Sequence, residues 1–105
     1  MSDAWIKVCA ADALAIEDVM RFDHGERTLI VCRTADGSYH VADGICTHEK
    51  VHLADGCVLG NVIECAKHNG RFDLRTGDAV RRPCRVPIAR YDVKIEGGEV
   101  YARLG

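Results

Sequence analysis

Two short segments of the sequence each join a thiol to an imidazole: Cys46-Thr47-His48 and Cys65-Ala66-Lys67-His68, with sixteen residues between His48 and Cys65. Cysteine and histidine at this spacing suit metal ligation, because one loop can aim a soft thiolate and a borderline imidazole at the same site. Structural zinc motifs usually keep like ligands together, two cysteines followed by two histidines on a helix. Neither that order nor a helix to carry the histidines is legible here. Two loops laid side by side would instead give both cysteines to one iron and both histidines to the other iron of a binuclear iron–sulfur cluster. With two thiolates and two neutral imidazoles the oxidised cluster is neutral, so the added electron is expected to settle on the histidine-bound iron.

The other cysteines and histidines are expected elsewhere. Cys9 and Cys32 alternate within apolar strand patterns and Cys57 precedes Val58-Leu59, so all three are expected as buried small hydrophobes. Cys84 follows Pro83 and either packs in the core or contacts the ligand residues from behind. His24 is expected solvated in a turn, and His40 on a strand as a surface or internally satisfied ring. His52, four residues beyond His48, is a candidate for an outer contact to the site or for docking.

The elements that must hold these loops are strands. Turn pairs recur at short spacing, among them His24-Gly25, Asp36-Gly37, Asp43-Gly44, Asp55-Gly56, Asn69-Gly70 and Gly97-Gly98, and β-branched or aromatic segments lie between them. Arg27–Arg33 and Ser38–Ala42 read as one hairpin around Asp36-Gly37, and Tyr91–Ile95 with Glu99–Leu104 as another around Gly97-Gly98. In the second, Tyr91, Val93 and Ile95 share one face, and Val100, Ala102 and Leu104 alternate opposite. Only Asp12–Asp18 looks helical, and it is long enough for a single turn or a short connection. Gly70 is expected to supply a positive-φ turn after His68, and Thr76-Gly77-Asp78 a chain reversal. The class is all-β, and 105 residues make one domain, 1–105. A 48% hydrophobic content is enough for a core without disulfides. The acidic start Met1–Ala4 and the lack of any apolar run beyond four residues predict neither a signal peptide nor a membrane span, hence a reducing cytoplasm.

Cys46-Thr47-His48, sixteen residues, then Cys65-Ala66-Lys67-His68-Asn69-Gly70-Arg71-Phe72-Asp73-Leu74-Arg75-Thr76-Gly77 resembles the C-x-H, C-x₂-H, F-x-x-x-T-G pattern of soluble Rieske-type [2Fe–2S] ferredoxins. These serve multicomponent ring-hydroxylating and related monooxygenase systems, and the middle of the chain is also faintly similar to the ferredoxin group associated with rhizopine breakdown. The resemblance covers nearly the whole chain and implies stacked antiparallel sheets with a cluster-binding part at about 43–85. It implies that Cys46, His48, Cys65 and His68 hold the [2Fe–2S] cluster, that a third loop at Arg82-Pro83-Cys84 walls it from water, and that the two rings sit at an exposed tip. In cytochrome bc-type relatives a disulfide would fall at Val51 and Lys67, and hydrogen-bond donors at Gly70 and Phe72; all are missing here. Fewer donors stabilise the reduced cluster less, so a midpoint in the lower part of the Rieske range of roughly −150 to +300 mV is expected.

A rigid one-electron site at an exposed edge implies a carrier without catalysis of its own. By the same resemblance its partners are a flavin-dependent NAD(P)H reductase and a terminal oxygenase, met transiently by a monomer. The net charge of −2 argues against nucleic acid and anionic membrane. That −2 hides an asymmetry: residues 1–64 carry −6 and residues 65–105 carry +4. Lys67, Arg71, Arg75, Arg81, Arg82, Arg85 and Arg90 supply most of the basic excess. They are expected either as a solvated face or as a ring around the histidine edge that steers acidic partners. Three rival readings are the small subunit of an assimilatory nitrite reductase, which shares a similar Phe-Asp-Leu-Arg-Thr-Gly segment, an N-terminal oxygenase fragment, which the chain is too short to complete, and a zinc-binding interaction module.

Overall fold

The computed structural model describes residues 4–104; Met1–Asp3 of the acidic start and Gly105, the ends of the expected 1–105 domain, lie outside the described residues. Ten strands follow in order: β1 (Trp5–Ala10), β2 (Asp18–His24), β3 (Arg27–Arg33), β4 (Tyr39–Asp43), β5 (Cys57–Leu59), β6 (Val62–Glu64), β7 (Arg71–Asp73), β8 (Ala79–Arg81), β9 (Arg90–Glu96) and β10 (Glu99–Arg103). The all-β class is therefore the observed one. Of the segment Asp12–Asp18, expected as a single turn or short connection, Asp12 and Ala13 fall in one 3-10 turn, Ala11–Ala13, and Asp18 opens β2; a second 3-10 turn lies at Leu53–Asp55.

The strands make a six-stranded antiparallel sheet, β1-β10-β9-β4-β3-β2, and a four-stranded one, β5-β6-β7-β8. Both expected hairpins are present, with Gly37, Gly97 and Gly98 at positive φ where their turns need it. Strand β3 explains how two layers share one frame. Its run Leu29-Ile30-Val31-Cys32 is fully buried on both faces, so no polar residue alternates with the apolar ones. Leu29 and Val31 belong to a cluster with Val41, Val100 and Ala102, while Ile30 and Cys32 belong to one with Leu53, Leu74 and the small-sheet residues Ile63 and Phe72. That second cluster also contains Cys46, Cys65 and Cys84, which anchors the loops carrying the candidate ligands in the core.

Several expectations need correction. Cys9 and Cys32 are buried, but Cys57 is exposed, because it opens β5 with its side chain directed away from Val58, the buried position of that strand. His24 is exposed as expected, yet it ends strand β2 rather than occupying a turn, and its ring stacks on Phe22. Ile95, near the end of β9, is exposed, while Tyr91 and Val93 pack half-buried against the core. His40 on β4 is half-buried, with Nε2 3.5 Å from Thr34 Oγ1.

Candidate metal centre

Two loops with the same closure carry the four candidate ligands. In the first, after β4, the Cys46 N–H donates to Val51 O at 2.9 Å; in the second, between β6 and β7, the Cys65 N–H donates to Gly70 O at 2.8 Å. Each cysteine thus starts a loop whose carbonyl five residues later turns back to it, and the histidine stands at the loop's crest. His68 and Asn69 adopt left-handed conformations, φ 68° and 58°. This tight reversal lifts the His68 ring outward, and asparagine tolerates it better than most residues. The positive φ expected at Gly70 therefore falls on the two residues before it. Gly70 has a different reason to be glycine: a Cβ there would stand 2.4 Å from Cys84 Sγ and 3.2 Å from the Cys84 nitrogen.

The third loop, Arg82–Arg85, completes the rim. Thr47 Oγ1 in the first loop donates to Val86 O at 2.6 Å and ties the two together. Pro83 shares a groove of about 280 Å³ with Thr47, His48, Arg85 and Val86, which places it beside the first imidazole. His52, the candidate outer group, locks the first loop to the large sheet. Its Nδ1 accepts from Ala54 N–H at 3.1 Å, so Nε2 carries the proton and donates to Thr28 Oγ1 at 2.8 Å, and Thr28 donates to Asp23 at 2.6 Å.

The donors divide by burial. Cys46 and Cys65 are 4% and 2% exposed, while His48 and His68 are exposed with ring centroids 5.7 Å apart and planes at 64°. Burial pushes the Cys46 thiol up, but the amides of Glu49 and His48 and the neighbouring Cys65 and Cys84 sulfurs outweigh it, so its net direction is down. Burial raises Cys65, although the Lys67 amide opposes it, and burial with the adjacent Cys46 pushes Cys84 up to about 12.

The same division tests which metal group the residues fit. Among the described residues, the set of three donors lying within 4.8 Å of one another is His48, Glu49 and His68, with neither cysteine in it. A single tetrahedral zinc would need all four ligand atoms around one point. Two inner thiols and two outer imidazoles, set apart, fit a binuclear cluster with cysteine on one iron and histidine on the other.

Glu49 is a residue that sequence reasoning missed. Its carboxylate pairs with Lys67 Nζ at 3.0 Å and lies 3.9 Å from His68 Nδ1. A glutamate following one ligand and a lysine preceding the other was the available signal. The expected basic ring is correspondingly thinner: Glu49 neutralises Lys67, and Glu64 accepts from Arg71 at 2.8 Å and lies 3.9 Å from Arg81. Arg75 pairs with Asp73, and Arg90 donates to Leu74 O. Arg82 and Arg85 are exposed without an acidic partner among the described residues, on a groove shared with Ala79, Val80, Arg81 and Cys84.

Known proteins carry the same frame. The ferredoxin CarAc of Metapseudomonas resinovorans is 38% identical over 102 residues, covering 96% of this chain and 94% of that protein. The ferredoxin component of the p-cumate 2,3-dioxygenase system of Pseudomonas putida is 35% identical, over 95% and 86% of the two chains. A solved complex of reduced oxygenase and oxidised ferredoxin in carbazole 1,9a-dioxygenase contains a chain that superposes with a TM-score of 0.89 at 35% identity, covering 97% of this chain and 94% of its own. These relatives are named as carriers rather than catalysts, which disfavours the nitrite reductase reading as the ligand geometry disfavours zinc. Residues 4–92 match the Rieske [2Fe-2S] domain, and with relatives of near-equal length the chain belongs to that family as a one-electron ferredoxin with a Rieske [2Fe–2S] cluster.

Proposed function

We propose that this chain is the ferredoxin component of a multicomponent oxygenase system, taking single electrons from a flavin-dependent NAD(P)H reductase and delivering them to a terminal oxygenase. Cys46 and Cys65 hold the inner iron and His48 and His68 the outer one, within a single domain over 1–105 whose cluster-binding part spans about 43–85. When bound, the cluster supplies reversible one-electron chemistry at a nearly neutral charge. The protein's own residues do the rest. The core buries the two sulfurs, backbone hydrogen bonds from Cys46 and Cys65 close the two loops, and Pro83 with Val86 lines the groove beside His48. The observation that carries the reading is the pair of exposed imidazoles, 5.7 Å apart, on the same two loops that bury Cys46 and Cys65. It brings the redox site to the surface without opening a substrate pocket. No described helix is long and apolar enough to cross a membrane. Six cysteines with no disulfide between them suit a reducing cytoplasm, where the chain works as a monomer.

The test is reconstitution. With a dioxygenase-system reductase and NADH the protein should bleach in the visible, and adding the matching oxygenase should restore its colour at a rate tied to substrate turnover. Oxidation of an aromatic substrate by the chain and reductase alone would overturn the reading.

A further inference from the structure

Cys84 is the buried nucleophilic group that the ligand set leaves unused. It is 4% exposed, and its Sγ lies 3.7 Å from Cys46 Sγ, hydrogen-bond distance for two sulfurs. It comes from the third loop, not from either ligand loop, so its approach to Cys46 joins the separate parts of the rim. On its other side it occupies the volume above Gly70, where a side chain would collide with it at 2.4 Å. Position 70 is thus kept bare and Cys84 is the group that reaches the first-loop sulfur from there.

The direction of the contact follows from chemistry. A cysteine that ligates iron is a thiolate and has no proton to give, whereas a thiol buried in apolar surroundings keeps its own. A hydrogen bond to a ligand sulfur favours the form with more negative charge, which is the reduced one. We propose that Cys84 is a positioning residue whose S–H donates to the Cys46 sulfur and so raises the reduction potential of the cluster. The inference rests on Cys46 being a ligand.

Voltammetry of loaded variants tests it, with iron and sulfide counted in each. Cys84→Ala should keep its cluster and visible spectrum but lose about fivefold in the equilibrium constant for reduction, ~40 mV at about 59 mV per tenfold for one electron. Cys84→Ser retains a donor and should recover most of that shift. In the wild type the infrared S–H stretch of Cys84 should lie below those of the other buried thiols and vanish in Cys84→Ala, a readout that decides even where a variant loads poorly. Equal midpoints in all three proteins, equal losses in both variants, or an unshifted S–H band would overturn the hydrogen bond. A wild-type chain that binds no iron would instead overturn the ligand assignment beneath it.

Discussion

Glycine 70 separates two roles that look alike in a sequence. A glycine after a ligand histidine suggests a positive-φ turn, yet the left-handed residues are His68 and Asn69, and the constraint at 70 is the Cys84 sulfur. Adding a methyl group there crowds a filled site, so Gly70→Ala is expected to destabilise the fold by about 1–3 kcal/mol. Urea titration would show it. Because the obstruction is a single side chain, Gly70→Ala in a Cys84→Ala background should cost less than in the wild type, and an additive double mutant would contradict the contact. Cys84 itself was legible only as an alternative, since its sequence neighbours say nothing of a sulfur from another loop. Cys57 misled for a similar reason: its neighbours Val58 and Leu59 are apolar, but in a three-residue strand only Val58 points inward.

At the scale of elements, the long strands were readable and the short ones were not. Strand β3 and the β9–β10 hairpin have several apolar positions and glycine turns, whereas β5, β6 and β7 each bury one residue, Val58, Ile63 and Phe72, which leaves no period to detect. Strand β2 escaped notice because it is an edge strand with mostly exposed or half-buried residues. The two candidate ligand loops stand out from residue types alone, while the latch that holds the first loop does not. His52 is kept neutral there: desolvation by burial and the charge of Arg21 lower its pKa from 6.5, against the opposing pull of Asp23 and Asp55. The sign follows directly. A depressed folded value means that the stability His52 contributes is present above about 6.5 and is lost as acid protonates Nδ1, which can then no longer accept from Ala54. His52→Ala is expected to cost about 1–2 kcal/mol near neutrality, to keep the visible spectrum, and to weaken the fall in stability below about pH 6.5. Denaturation at several pH values checks this; an unchanged acid limb in the variant would count against the latch.

For the whole molecule, the summed charge of −2 conceals a basic rim whose members are largely paired. Arg85 shares a groove with His48, Arg82 lines the groove on the other side of Arg85, and neither has an acidic partner among the described residues, so this pair is left to steer a partner. Electron delivery to an oxygenase should therefore slow as ionic strength rises from about 0.05 to about 0.5 M, as the Debye length shrinks below the spacing of docking charges. Arg82→Glu with Arg85→Glu should reduce the second-order rate by about tenfold at low salt and flatten its salt dependence. A rate indifferent to both would leave these arginines as solvated surface. The central claim, one cluster held by two buried cysteines and two exposed histidines, is tested most directly by electron–nuclear double resonance on the reduced protein grown with ¹⁵N-histidine. The expected result is a rhombic signal from a chain with two irons and two acid-labile sulfides, showing two histidine nitrogen couplings. A colourless zinc protein, or a reduced cluster without histidine nitrogen coupling, would contradict it.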